Sequence, residues 1–213
     1  MDEIKELLKH IRIGLQFADN KLMPILQEME YITRHAEVLL DDADGNMRVL
    51  NKVMKGRPKK REVITRNTIR SSCACIEGFS YVLKTALKST IDQTPPNTFS
   101  KKQLEFLEKN ETNGSGAEIY KLALKCFAKK YNVDISNIFG TSDFDNLRKI
   151  FERRNRLMHP KTSNDFEVSF EDILLLASSM KWFIDSHHQV FRQVMESLER
   201  QMNELGLFAE EEI

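Results

Sequence analysis

The sequence predicts an all-α protein: a helical bundle of at least five helices with a long C-terminal helix. Apolar residues recur at steps of three and four along most of the 213-residue chain, which is the period of an amphipathic α-helix. No stretch of useful length alternates between apolar and polar residues, as a half-buried strand would. Hydrophobic residues make up 41% and charged residues 30%, with only 8 Gly and 5 Pro, a composition typical of a folded helical protein.

A chain of this length is expected to form a single domain in which residues 60–205 build the core bundle. Residues 1–59 are interpreted as an N-terminal helical extension with a basic connector, and residues 206–213 as an acidic tail. The 32 basic and 32 acidic side chains cancel, so no global field attracts the protein to a polyanion. Without a run of about 18 apolar residues or a signal peptide, we expect a cytoplasmic protein that does not bind membranes.

Helical periodicity begins in the N-terminal extension, where a proline divides it. One apolar set covers residues 4–15, and a second covers 22–40 across Pro24, which predicts two helices or one kinked helix. The polar run at 41–46 is expected to end this region. The residues at 56–60 are then expected to form the basic connector.

The later helices are predicted from their start and stop signals. Apolar residues nearly surround the helix axis between about 61 and 91, so this helix is expected at the centre of the bundle. Ser100 with Gln103 has the spacing of a capping box and predicts a short helix. The same spacing precedes three further helical patterns, the last of them about 55 Å long. These patterns cover about 116–131, 142–158 and 169–205, and their start signals are Ser115 with Glu118, Ser142 with Asp145, and Ser169 with Asp172.

The cysteine pattern is typical of a protein from a reducing compartment. Cys73, Cys75 and Cys126 are an odd count without paired spacing, which argues against a disulfide framework. In a regular helix Cys73 and Cys75 point about 200° apart, so they cannot both ligate one metal ion. The sequence therefore predicts buried structural thiols, and it indicates neither a metal site nor a cofactor.

Positive charge concentrates in two stretches of this neutral chain. Residues 51–70 carry a net charge of +7 and residues 148–161 a net charge of +5. Such segregation favours a site for a polyanion, although charge runs are more often plain solvated surfaces. The candidate RNA-contacting residues in these stretches are Lys59, Lys60, Arg61, Arg148, Lys149 and Lys161.

The second basic stretch also contains a histidine at a predicted helix end. Asn155 and His159 are four residues apart and share a helix face. Arg154 lies about 140° from His159 but is long enough to turn toward it. Because Pro160 disfavours the helical conformation of the residue before it, His159 is expected to end its helix. The C-terminus of a helix favours a cationic imidazole, which can act as an acid.

The segment 154–159, RNRLMH, resembles the R-x(4–6)-H motif of HEPN domains, including the polar residue that follows the arginine. These domains are helical bundles found in toxin–antitoxin modules, abortive-infection systems and CRISPR effector nucleases. The segment 70–79 is similar to a helix of defence-type HEPN proteins in which an acidic residue sits among apolar neighbours. The resemblance covers about residues 60–200.

This resemblance implies a metal-independent endoribonuclease, with a toxin or anti-phage defence role. RNA carries its own nucleophile, the ribose 2′-OH, so such an enzyme needs a base, a cation for the phosphate and an acid for the leaving oxygen. His159 and Arg154 suit these catalytic roles, and Asn155 suits an orienting role. In HEPN nucleases two motif copies meet in one cleft, which implies a homodimer with a composite site acting on an RNA substrate. The products would be a 2′,3′-cyclic phosphate and a 5′-OH end.

Four further residues are secondary candidates for the site. Glu77 lies on an otherwise apolar helix face and is expected to pair with Arg70 or with a motif arginine, because an unpaired buried carboxylate is costly. Arg153 and Arg156 are the remaining two. Lys161 stands where toxins regulated by nucleotidyltransferase-type antitoxins often carry a modified tyrosine. This difference favours a stand-alone or differently inhibited nuclease, and it leaves the identity of any antitoxin or regulatory partner open.

Two other function classes compete with the nuclease. One is a non-catalytic interaction module whose long C-terminal helix binds a partner, and the other is an accessory subunit that binds RNA or DNA. His187 and His188 point about 100° apart on a helix and are interpreted as surface or interface residues. Trp182 and Phe183 are interpreted as packing residues rather than as a platform for base stacking.

Overall fold

The structure is a computed structural model that describes residues 23–54, 58–109 and 114–204. Within these ranges the chain is all-helical and contains no β-strand, which confirms the predicted fold class. In this part of the chain, three short 3-10 turns connect the longer elements, at Ile91–Gln93, Ile138–Gly140 and Ser163–Phe166. The six α-helices of the described residues are α1 (Met23–Val53), α2 (Pro58–Ser89), α3 (Lys101–Glu108), α4 (Gly116–Lys130), α5 (Ser142–Met158) and α6 (Phe170–Glu204).

Helix α2 lies at the centre of the bundle, as the sequence predicts. It packs most extensively along α1 and α4, and it also contacts α3, α5 and α6. Ile69, Leu83 and Leu87 on this helix are completely buried. Each such side chain contributes about 1.5–3 kcal/mol through the removal of apolar surface from water. The ring of Phe79 meets that of Phe183 on α6 edge to face, with 5.5 Å between the centroids.

Helix α1 continues through the polar run at 41–46, so the prediction that it ends there was wrong. Ala43, in the middle of that run, is buried in the core, and Leu50 beyond it is completely buried. The side-chain amide of Asn46 donates to the carbonyl oxygen of Asp42 at 2.8 Å, which keeps the polar residues compatible with the helix. Packing against α2 therefore outweighs the low helix propensity of Asp, Gly and Asn.

Helix α1 is also part of the bundle, whereas the sequence indicates that residues 1–59 form an extension outside it. Ile32 belongs to the same hydrophobic core as the other helices. A buried polar cluster, Glu28 with Thr90 and Lys130, connects α1 to the ends of α2 and α4. The hydroxyl of Thr90 donates to Oε2 of Glu28 at 2.8 Å, and Lys130 forms an ion pair with the same carboxylate. The first apolar set at 4–15 and the acidic tail at 206–213 lie outside the described residues.

The later helices begin where the sequence predicts, although one cap differs. Ser100 takes part in both bonds of a capping box at the start of α3. At the start of α6 the side chains of Ser169 and Asp172 each accept a hydrogen bond from the backbone N–H of the other residue. Helix α5 begins at Ser142, but its N-cap is Thr141 and makes no side-chain capping bond. The spacing of Ser142 and Asp145 therefore predicts the correct start of α5, although the capping bond that motivates this prediction is not formed.

The three cysteines are buried, as the sequence predicts. Burial raises the pKa of the thiols of Cys73 and Cys126 to about 12 and that of Cys75 to about 11. None of the described helices is long and apolar enough to span a membrane. In the same part of the chain no three His, Cys, Asp or Glu side chains are grouped so that they could hold a metal ion.

His187 is buried within an aromatic cluster, so its interpretation as a surface or interface residue was wrong, whereas His188 is exposed. The rings of Phe79 and Phe183 lie 5.0 and 5.2 Å from the His187 imidazole, and Nδ1 of His187 lies 3.0 Å from the carbonyl oxygen of Phe183. Burial lowers the pKa of His187 to about 4. Trp182 and Phe183 are core residues, as predicted.

We expect the free energy of unfolding to decrease as the pH falls from about 6.5 to about 4, partly through His187. In this window the imidazole takes up a proton in the unfolded chain but not in the folded one, so acid favours unfolding. The full loss is about 3 kcal/mol at roughly 1.4 kcal/mol per pKa unit. Urea unfolding at several pH values should show a shallower dependence for His187→Asn and an unchanged one for His35→Asn, which alters an exposed histidine on α1. Equal slopes in all three proteins would contradict this role.

Candidate functional site

His159 ends α5, as the proline that follows it predicts. Its backbone N–H donates to the carbonyl oxygen of Asn155 at 2.9 Å, and its own φ and ψ, −129° and 62°, lie outside the helical region. The side chain is exposed. Among the described residues no group forms a hydrogen bond with the His159 ring. Both ring nitrogens are therefore open to a ligand.

Arg154 is held in place by two neighbours. Its Nη2 atom lies 2.8 Å from Oε2 of Glu77 on α2, and its Nη1 atom donates to Oδ1 of Asn155 at 3.1 Å. The pairing of Glu77 with a motif arginine is one of the two alternatives that the sequence left open. The side chain of Arg154 remains 24% exposed. Its guanidinium is thus oriented by Glu77 and Asn155 while one side still faces solvent.

Arg70, the other expected partner of Glu77, instead caps the end of α5. Its Nη2 atom donates to the carbonyl oxygen of Leu157 at 2.9 Å, in the last turn of α5, where carbonyl groups lack partners within the helix. Its Nη1 atom donates to Asn67 at 3.3 Å, and its Nε atom is buried without a partner. No described carboxylate forms an ion pair with Arg70. Its charge therefore remains uncompensated, at a contact two residues before His159.

The turn that follows His159 is fixed by one carboxylate. Oδ2 of Asp165 accepts hydrogen bonds from the backbone N–H groups of Lys161 and Thr162, both at 2.8 Å. These backbone hydrogen bonds favour the ionised carboxylate, so they hold the pKa of Asp165 below its usual range. The chain that leaves His159 is therefore closed into a tight, defined turn.

Arg153, a secondary candidate for the site, is buried on the opposite side of α5 from solvent. Its Nε atom lies 3.1 Å from Oδ1 of Asp172 on α6, close enough for an ion pair although the N–H is not aligned for a hydrogen bond. Its Nη1 atom donates to the carbonyl oxygen of Asp165 at 3.3 Å. Arg153 therefore connects α5 to α6 and to the turn, and its guanidinium is not free to contact RNA.

The other candidates divide into engaged and free cations. Arg148 forms ion pairs with Glu118, at 2.7 Å, and with Asp145, at 2.9 Å, and it also lies over the ring of Phe144. The structure therefore directs Arg148 toward α4 and away from the motif. Exposed cations are found at the start of α2, on α5 and in the turn after it. They are Lys59, Lys60, Lys149, Arg156 and Lys161, while Arg61 is partly buried.

Sequence reasoning missed Arg66 and Asp165, which both shape the site. The Nη1 atom of Arg66 donates to the carbonyl oxygen of Phe166 at 2.9 Å, across 100 residues of sequence. Glu62 lies 4.0 Å from the same guanidinium, at the limit of an ion pair. The charge of the stretch at 51–70 pointed to Arg66, but nothing local indicated its partner.

We expect Arg153→Met to destabilise the protein by about 3 kcal/mol, because the substitution leaves Asp172 without its partner in a partly buried position. Arg156→Met is the matched control, since Arg156 is exposed three residues further along the same helix. It should change the free energy of unfolding by less than about 0.5 kcal/mol. Urea unfolding measures both values. A similar cost for the two variants would contradict the structural role of Arg153.

Comparison of the chain with models of protein families, with curated proteins and with solved structures found no match in any of the three. The resemblance to HEPN domains therefore rests on the sequence alone, in the segments 70–79 and 154–159. Any function has to be argued from the geometry at the end of α5.

Proposed function

We propose that this protein is a metal-independent endoribonuclease of the HEPN type, in which Arg154 and His159 carry out the chemistry. The observation that carries the proposal is the presence of an oriented, partly exposed arginine and an exposed histidine in the last turns of one helix. Glu77 and Asn155 fix the arginine, and the histidine ring has both nitrogens open. The uncompensated charge of Arg70 adds a second cation next to them.

The proposed reaction uses the 2′-OH of the substrate as the nucleophile. A neutral imidazole accepts the 2′-OH proton while the O2′–P bond forms, and an imidazolium donates a proton to O5′ while the P–O5′ bond breaks. The guanidinium of Arg154 stabilises the charge that develops on the pentacoordinate phosphate. The products are a 2′,3′-cyclic phosphate and a 5′-OH end, and DNA is spared because it lacks the attacking group.

The reaction needs a base and an acid, whereas one chain supplies one histidine at this site. We therefore propose a two-fold homodimer in which His159 of one protomer and the partner's His159 face a common cleft. An exposed histidine at a helix end suits this arrangement, because a second chain can approach it without rearranging the bundle. The biological role that we propose is that of a toxin or anti-phage effector controlled by an antitoxin or another regulatory protein.

The ion pair between Glu77 and Arg154 also favours a second candidate, a non-catalytic helical module that binds a protein or RNA. In that module the pair would only connect α2 to α5, at 2.8 Å. The two candidates differ in the effect of substituting Arg154. Loss of a connecting pair changes stability, whereas loss of a catalytic cation changes the rate of RNA cleavage in a protein that stays folded.

We expect the purified protein to cleave RNA in the presence of EDTA and to leave DNA intact. His159→Ala should lower the rate at least about 100-fold through loss of proton transfer, and Arg154→Ala should lower it by a similar or larger factor. Gel assays with single-turnover kinetics measure the rates, and mass spectrometry identifies the cyclic phosphate. His188→Ala, which removes another exposed histidine, is the control and should retain full activity.

Stability measurements decide whether these losses are chemical. Both His159→Ala and Arg154→Ala should stay folded, with a change well below the 2–5 kcal/mol of a core deletion, since neither side chain is buried. Cleavage that requires Mg²⁺, or that persists at full rate in His159→Ala, would refute the nuclease proposal. RNA binding without any cleavage would favour the non-catalytic module.

We also expect the protein to have the mass of two chains in light scattering, and inactive subunits to suppress active ones. A heterodimer of wild-type and His159→Ala chains contains only one of the two histidines that a composite site requires. Excess His159→Ala protein, allowed to exchange with the wild type, should therefore lower the total activity. Addition of the same amount of Glu152→Ala protein, which alters an exposed acidic residue on α5, should not. A monomeric protein, or activity unaffected by the inactive subunits, would contradict the composite site.

A further inference from the structure

Two phenylalanine rings lie exposed beside the candidate site. Phe166, in the turn after α5, is 43% exposed, and Phe170, the first residue of α6, is 56% exposed. Every other phenylalanine in the described part of the chain is buried or partly buried. Aromatic rings of this size are usually covered in a folded protein, so two of them near the arginines of α2 indicate a ligand that covers them.

Phe166 is attached to α2 through its backbone, and Phe170 shares a cavity with an arginine of α2. The Nη1 atom of Arg66 donates to the carbonyl oxygen of Phe166 at 2.9 Å. Arg61 and Phe170 line the same small cavity, of about 140 Å³. Arg70, further along α2, holds the end of α5 through Leu157. Phe166 is thus fixed next to a cation through its backbone, and Phe170 lines a cavity together with Arg61 and Glu62.

The three arginines follow one another along one helix. At about 1.5 Å per residue, Arg61 and Arg66 are separated by about 7.5 Å, and Arg66 and Arg70 by about 6 Å. Along the axis of α2, three features therefore follow one another within about 14 Å. They are the cavity beside Phe170, the contact to Phe166 and the end of the helix that carries His159.

Phe166, Phe170 and the three arginines of α2 form a surface that we call the strip. We propose that the strip binds single-stranded RNA and leads it to His159. Unpaired bases stack on the rings of Phe166 and Phe170, while the partly buried arginines of α2 neutralise the adjacent phosphates. A duplex does not fit this role, because its bases already stack on each other and present only their edges. That the bound RNA leads to His159 rests on the proposed function. The stacking of bases depends only on the exposed rings and the arginines.

Charge favours nucleic acid over a second copy of the chain as the occupant. A two-fold contact through the strip would bring the three arginines of α2 close to the same three of the other protomer. Like charges placed opposite each other across an interface are costly. Glu62 lies 4.0 Å from the guanidinium of Arg66 and lines the same cavity as Arg61 and Phe170. A polyanion instead neutralises all three cations while its bases cover the rings.

The test measures binding separately from cleavage, in the His159→Ala protein. Fluorescence anisotropy with labelled single-stranded RNA should show that Phe166→Leu and Phe170→Leu each weaken binding about 10-fold to 100-fold, since leucine keeps an apolar side chain but removes the stacking face. Tyrosine at either position should retain binding within about threefold, because the ring remains. Met195→Ala is the control, as Met195 is 52% exposed toward the other end of α6, and it should change nothing.

The choice of oligonucleotide separates base stacking from cleavage and from attraction by charge. Single-stranded DNA of the same sequence should depend on both rings, although it is not cleaved, and an RNA with abasic sites should bind equally to the parent and the leucine variants. Leucine variants that bind like the parent would overturn the strip. Leucine variants that alter the oligomeric state without altering RNA affinity would also overturn it, and would assign the rings to a contact between copies.

The two proposals can fail independently. If wild-type protein cleaves no RNA but the His159→Ala protein binds it in a ring-dependent way, the nuclease proposal fails and the strip stands. If wild-type protein cleaves RNA at equal rates with and without the two rings, at substrate concentrations below saturation, the strip fails and the nuclease stands.

Discussion

The central burial of α2 is the constraint from which the candidate site follows. A helix surrounded by other helices must provide a partner for each polar side chain that it carries, because an unpaired buried group is costly. Glu77, Arg70 and Arg66 meet this need on α5 and on the turn that follows it. The packing that stabilises the bundle thus also sets where the guanidinium of Arg154 points and where the backbone after His159 runs.

The same principle separates the basic residues into two groups with different uses. Arg148 and Arg153 have carboxylate partners in α4 and α6. Their charges are therefore compensated by ion pairs that join the helices. Arg70 is matched only by a carbonyl and an amide oxygen, and His159 by nothing among the described residues. A polyanion would be attracted to the second group. Net charge counted along the sequence cannot distinguish the two groups, since it records no partners.

The sequence predicts elements that local signals define, and it fails where distant contacts decide. The ends of α5 follow from its helical period and from Pro160, and the structure has them where expected. The length of α1 depends on Ala43 packing against the bundle, and no signal within the run at 41–46 indicates this contact. Arg153 had the same appearance in the sequence as Arg154. Arg153 is buried because its ion-pair partner, Asp172, lies on the next helix. This contact arises only when the chain folds, so no local sequence pattern indicates it.

The cluster of Glu28, Thr90 and Lys130 determines how the molecule opens. Release of α1 from the bundle would strip Lys130 of its carboxylate partner and would expose the apolar surface of α2 at the same time. Two such costs incurred together make separate fraying of α1 unfavourable. The amide protons of α1 should therefore exchange with solvent mainly when the whole bundle unfolds, so that the first of the described helices shares the kinetic protection of the core.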